Sequence, residues 1–161
     1  MSPRLATVLL WAALPLRVYM GMVFIAASLY KIYEPFQFAL SVATYQMVPL
    51  EVINLFALAL PWVELVVGVT MVLGLWTRES SLLIIGMMVM FMAALLYALS
   101  RDLQMSCGCF ASQDAADEIG WHTIARDSLW LLASLFVCFF DTGRLGLDRF
   151  LSPRTTMGDN P

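Results

Sequence analysis

The sequence predicts an all-α fold, a bundle of four membrane-spanning helices with a short interfacial helix after the first span. Three observations carry this reading. Apolar residues make up 61% of the 161-residue chain and charged residues only 13%, against about half and about a quarter in soluble domains. Four apolar stretches are each long enough to cross roughly 30 Å of hydrocarbon as a helix. None of them alternates as the strands of a membrane barrel do. Lipid offers no partner to a backbone amide or carbonyl, so a span must pair its own, and helices follow. The same composition excludes a soluble globular enzyme, a disordered tail and a collagen-like fibre. A net charge of -3 without a basic patch argues against nucleic acid, which leaves the lipid bilayer as the surrounding partner. One compact membrane domain over residues 1–161 is expected, with no separate soluble domain.

The first span covers about residues 5–31 and contains Pro15 and Arg17. A secretory leader over residues 1–16 is the competing reading. It is disfavoured because Arg4 is the single N-terminal positive charge and no small-x-small cleavage site precedes Arg17. Pro35 after Glu34 makes a good helix start. Beyond it Phe36, Leu40, Ala43 and Met47 share one helical face, and Gln37, Ser41 and Thr44 another. This is the expected interfacial helix. The second span covers about 50–76 and the third about 80–99, with Thr77, Arg78 and Glu79 as the tight turn between them. A connection over 100–120 carries Cys107-Gly108-Cys109 and the acidic residues Asp114, Asp117 and Glu118, and the fourth span follows at about 121–140.

Cytoplasmic segments of membrane proteins are enriched in Arg and Lys. Arg4, Arg78, Arg144, Arg149 and Arg154 would share one side, and Lys31 and Arg101 the other. Both termini are then cytoplasmic, and the Cys-Gly-Cys loop faces the oxidising exterior, where disulfides persist.

Cys107 and Cys109 are the sharpest chemical feature. Thiols one residue apart close a small ring, which Gly108 allows by bending the backbone. A strained disulfide of this kind is labile and exchangeable. The alternative is a pair of incidental loop cysteines. Two thiolates with His122, the only histidine, form a soft-metal set, but the spacing matches no zinc pattern and a fourth ligand is missing. No metal is assigned. Cys138 lies about 25 Å along the fourth helix from Trp121 and reads as packing.

Glu64 and Arg17 each fall near the middle of a span, where ionisable groups are costly and normally paired in the bundle interior. Their matched depths predict a mutual ion pair, serving either as a proton or ligand site or as a device fixing helix register. Pro61 would loosen the helix just before Glu64. Lys31 and Glu34 are spaced as an interfacial couple. Arg126 and Asp127 open the fourth span near the Cys loop, where a cation favours thiolate or anchors the helix at the interface.

Taken together, these residues resemble the MauE/DoxX group of small four-helix bacterial membrane proteins over roughly residues 10–140. The carrying positions are Arg17, Gly21 to Phe24 and Lys31 in the first span. In the second they are Pro61, Trp62, Val63 and Glu64, with Gly68, Gly74 and Leu75. Cys107-Gly108-Cys109-Phe110 follows, then Trp121 and Arg126-Asp127. The Cys-Gly-Cys-Phe element is closest to the methylamine-utilisation MauE branch, although the family's glycine after that element is replaced by Ala111. The resemblance implies a role in disulfide formation or maturation of exported redox enzymes, with a thioredoxin-like partner or a redox-enzyme client. The expected protein is thus a thiol–disulfide oxidoreductase of the bacterial inner membrane, exchanging through Cys107 and Cys109. Quinone is the candidate electron acceptor, with Trp62 and Trp121 as ligand candidates by position alone. The competing readings are a non-catalytic assembly subunit of a membrane redox complex and a small-solute or lipid transporter using Arg17 and Glu64.

Overall fold

A computed structural model describes residues 3–45, 49–101 and 121–141. They form five helices: α1 (Pro3–Tyr33), α2 (Pro35–Thr44), α3 (Leu50–Leu73), α4 (Thr77–Ser100) and α5 (Trp121–Phe140). No strand occurs among the described residues. Four helices are long and apolar enough to cross a membrane, and the short α2 follows the first of them, as the sequence predicts. Pro15 and Pro61 both lie inside unbroken helices, a tolerance typical of membrane spans.

The α1–α3 pair is set by glycine. A Cβ added at Gly21 would stand 2.6 Å from Val72 Cγ2 and 2.8 Å from the Gly68 carbonyl, and one at Gly68 would stand 2.9 Å from Ile25 Cγ1. Residues without side chains let the two backbones touch, as at many membrane-helix crossings. Because Gly21 meets Val72 while Gly68 meets Ile25, the two helices run antiparallel. α1 also packs on α5, and α4 packs on both α3 and α5. The four spans therefore close a ring of antiparallel neighbours. Met20, Phe24, Val67, Met71, Ile84, Met88 and Val137 fill its centre. Trp11, Leu55, Leu129 and Phe139 point outward and are exposed, as lipid-facing side chains are.

One boundary differs from the sequence reading. The tight turn is at 74–76, and Thr77, Arg78 and Glu79 form the first turn of α4. The cause is Gly74, which adopts a left-handed φ of 69° that costs glycine nothing. The Gly74 amide donates to Met71 and the Leu75 amide to Thr70, the paired bonds of a Schellman stop. Trp76 is also left-handed, with φ 45°. In α2 the buried face carries Phe38, followed by Tyr45 at the helix end, while Phe36 and Leu40 are exposed. Phe36 and Leu40, on the apolar face read from the sequence, thus turn away from the bundle.

Candidate functional site

Each long helix has one inward stripe at helical spacing, and on α1, α3 and α5 it carries the buried charged residues Arg17, Lys31, Glu64 and Asp127. On α1 the buried residues are Ala13, Arg17, Met20, Gly21, Phe24, Ser28 and Lys31. On α3 they are Ile53, Ala57, Pro61, Glu64, Val67, Gly68 and Met71, and on α5 Thr123, Asp127, Ser134 and Val137, with Asp141 just past its end.

The pairing of these charges corrects the sequence expectation. Glu64 is bound by Lys31, whose Nζ donates to both carboxylate oxygens at 2.7 and 2.8 Å. Arg17 instead donates from Nη1 to Asp141 Oδ2 at 2.9 Å. The glycine crossing explains the exchange of partners. Arg17 lies one turn before Gly21 and Glu64 one turn before Gly68, and the helices are antiparallel. The two side chains therefore sit on opposite sides of the crossing, about 12 Å apart along the axis at the standard rise. Helical side chains lean toward their own N-terminus. Lys31 and Glu64 thus lean toward each other, and Arg17 leans toward the end of α5. Both pairs are sealed from solvent, with side chains 9% or less exposed.

Lys31 has therefore turned away from Glu34, which is exposed at the start of α2 and makes no side-chain cap. The Lys31 ammonium also lies 4.9 Å from the centre of the Phe38 ring, a cation–π contact.

Arg126 and Asp127 do meet, Nε to Oδ1 at 3.1 Å, and the guanidinium lies 4.8 Å over the Trp130 ring. Asp127 itself is buried, and its second oxygen, Oδ2, has no hydrogen-bond partner among the described residues. Burial, and then the nearby Asp127 charge, push the Tyr45 phenol up from its ordinary range, so it stays protonated.

Lys31, Glu64, Asp127 and Tyr45 all line one cavity of about 220 Å³. The rest of its wall is apolar, built from aromatic and methionine side chains such as Phe24, Phe56, Met87 and Phe91. Of the tryptophans, Trp130 reaches it. Trp62 and Trp121 are exposed on the outer surface, which removes them as ligands in this cavity. His122 is exposed in the first turn of α5. Cys138 is a half-buried free cysteine near the far end of α5.

Cys107 and Cys109 lie outside the described residues. Their connection leaves from the end of α4 and enters at Trp121, and Asp127 stands about 9 Å along α5 from that entry at the standard rise. Sequence reasoning passed over Asp141 and Tyr45, and it did not bring Lys31 to Glu64. The signal was present in the inward spacing of Thr123, Asp127, Ser134 and Asp141, which alternates steps of three and four with Trp130 and Val137.

A ring of four apolar helices with two buried ion pairs defines a multi-pass integral membrane protein. The family model described as methylamine utilisation protein MauE matches residues 6–140, and the chain belongs to that family. It is similar to a methylamine utilization protein MauE of Paracoccus denitrificans, with 29% identity over 119 residues, 73% of this chain. That alignment covers 62% of the relative's own length. No solved structure matches the chain.

Proposed function

We propose that the protein is an inner-membrane thiol–disulfide redox protein that exchanges electrons with an exported thioredoxin-like partner through Cys107 and Cys109. The carrying observation is the Cys-Gly-Cys pair itself, in the connection joined directly to α4 and α5, the helices that contribute Met87, Phe91, Asp127 and Trp130 to the cavity. A close-set disulfide is easily attacked. A partner thiolate attacks one of its sulfurs, and the mixed disulfide is resolved by the partner's second thiol. The partner leaves oxidised by two electrons, and Cys107 and Cys109 are left as two thiols. Membership of the MauE family supports a membrane protein of methylamine utilisation. The distribution of arginine supports cytoplasmic termini with residues 100–120 outside.

The test is exchange with a purified thioredoxin-like protein, followed by alkylation and mass measurement. Wild type should show a reducible Cys107–Cys109 bridge and pass it on. Cys107→Ser and Cys109→Ser should each abolish transfer, and Cys138→Ser should leave it intact. Full transfer by the double Cys107/Cys109 variant would overturn the proposal.

A further inference from the structure

We infer that the cavity lined by α2 and the four spans is the head-group site of a lipid-soluble quinone/quinol couple, with Lys31 and Asp127 as its polar contacts. The inference rests on the redox reading for the direction of electron flow, but the binding site stands on its own geometry. Entry is from the side. Met90 lines the cavity and is also 45% exposed on the outer face of α4, so the cavity opens onto the lipid-facing surface. A ligand dissolved in the bilayer reaches it without crossing water.

Charge and hydrogen bonding select the ligand. Lys31 is neutralised by Glu64, and Asp127 is paired with Arg126, so the site favours a neutral molecule over a phosphate-bearing head. An acyl chain would leave Asp127 Oδ2 buried without a donor, an unfavourable state for a polar atom. The polar part of the cavity wall is Lys31, Glu64, Asp127 and Tyr45; Lys31 has donor capacity beyond the Glu64 carboxylate, and Asp127 carries a buried acceptor oxygen with no partner among the described residues. A quinone carbonyl accepts from Lys31, and a quinol hydroxyl donates to Asp127. Phe24, Phe56, Phe91 and Trp130 supply ring faces for an aromatic head. About 220 Å³ is below the range of about 300–1,000 Å³ for drug-sized ligands, which fits one ring with its tail left in lipid.

The balanced step joins the two ends of the pathway. Two S–H bonds break at Cys107 and Cys109 and the S–S bond re-forms. The two electrons and two protons released end as two O–H bonds on the reduced ring.

The experiment uses the full-length protein in lipid nanodiscs with a photoreactive azido-ubiquinone, competed by decylubiquinone and mapped by peptide mass. Label is expected on the cavity-lining segments of α1 and α4, and it should be lost on competition. The Cys107→Ser/Cys109→Ser variant should label normally, since binding does not use the thiols. Met90→Trp replaces an exposed side chain at the opening and should cut labelling at least tenfold without loss of folding. Asp127→Asn should weaken decylubiquinol at least tenfold more than decylubiquinone. Label spread over the outer surface and not competed would overturn the site, as would a co-purified phospholipid occupying the cavity. Cavity labelling without thiol exchange would sink the redox reading and leave the site standing; exchange without cavity labelling would do the reverse.

Discussion

Lys31 and Arg17 occupy the same inward stripe of one helix yet serve different carboxylates. The Lys31–Glu64 pair is bidentate and sealed, at 2.7 and 2.8 Å. Removing one member of such a pair strands the other charge, and the loss is about 3–5 kcal/mol. Glu64→Gln should therefore lower the unfolding midpoint in detergent sharply, whereas Lys31→Met together with Glu64→Met should recover most of the loss, because apolar replacement of a buried pair is often neutral. An equal loss in single and double variants would show that the charges are not coupled. That both Arg17 and Glu64 face inward was legible in the sequence, since depth alone makes an exposed charge untenable. Their partners were not. Choosing between Glu64, Asp141 and Glu34 needs the register of α1 on α3 and the lean of each side chain. Register comes from Gly21 and Gly68, which the sequence shows only as two glycines among nine.

At the scale of the element, glycine acts in two distinct ways. Gly21 and Gly68 are needed for space, and Gly74 for its backbone angle. Gly21→Ala would place a methyl 2.6 Å from Val72 and 2.8 Å from a backbone carbonyl, so α1 and α3 must separate. Gly86 has nothing within 4 Å of an added Cβ, and alanine there should be neutral or stabilise by about 0.5–1 kcal/mol through helix propensity. In paired melts Gly21→Ala should lower the midpoint and Gly86→Ala should leave it unchanged or raise it. Gly74→Ala should cost about 1–2 kcal/mol for its left-handed φ of 69°, measured as a lower midpoint with unchanged helix content. The existence of all five helices was legible from apolar run length and from Pro35. The α3–α4 boundary was misplaced because Thr77 to Glu79 are polar and look like a turn. A C-terminal glycine stop decides the helix end, whatever the polarity of the residues that follow.

Across the whole molecule, the ring of antiparallel spans puts the start of α1 and the end of α5 on one side and the connection over residues 102–120 on the other. An impermeant maleimide applied to intact, reduced cells should therefore label Cys107 or Cys109, and labelling only after lysis would invert the orientation. The inward stripes were visible in the sequence, but the cavity was not. It exists because side chains from all four spans and from α2 converge on one depth, and convergence of five elements is a property of the assembled bundle. Tyr45 is the clearest example. It ends a ten-residue helix and is buried against Leu95 and Ala98 of a helix far along the chain.

The bond between Arg17 and Asp141 spans 124 residues, and that separation has a consequence for biosynthesis. At about 5–20 residues per second, roughly 6–25 s pass between synthesis of the arginine and of its counter-ion. During that interval α1 carries an uncompensated guanidinium, which disfavours its full insertion into the bilayer. The first helix is therefore the last to settle at its final depth, held shallow until α5 arrives to draw it in. Ribosome-stalled chains ending before α5 should show a shallower α1 by glycosylation mapping than chains ending after it. The pair thereby acts as a completion check, in which only a chain made through its final span can retain its first span in place.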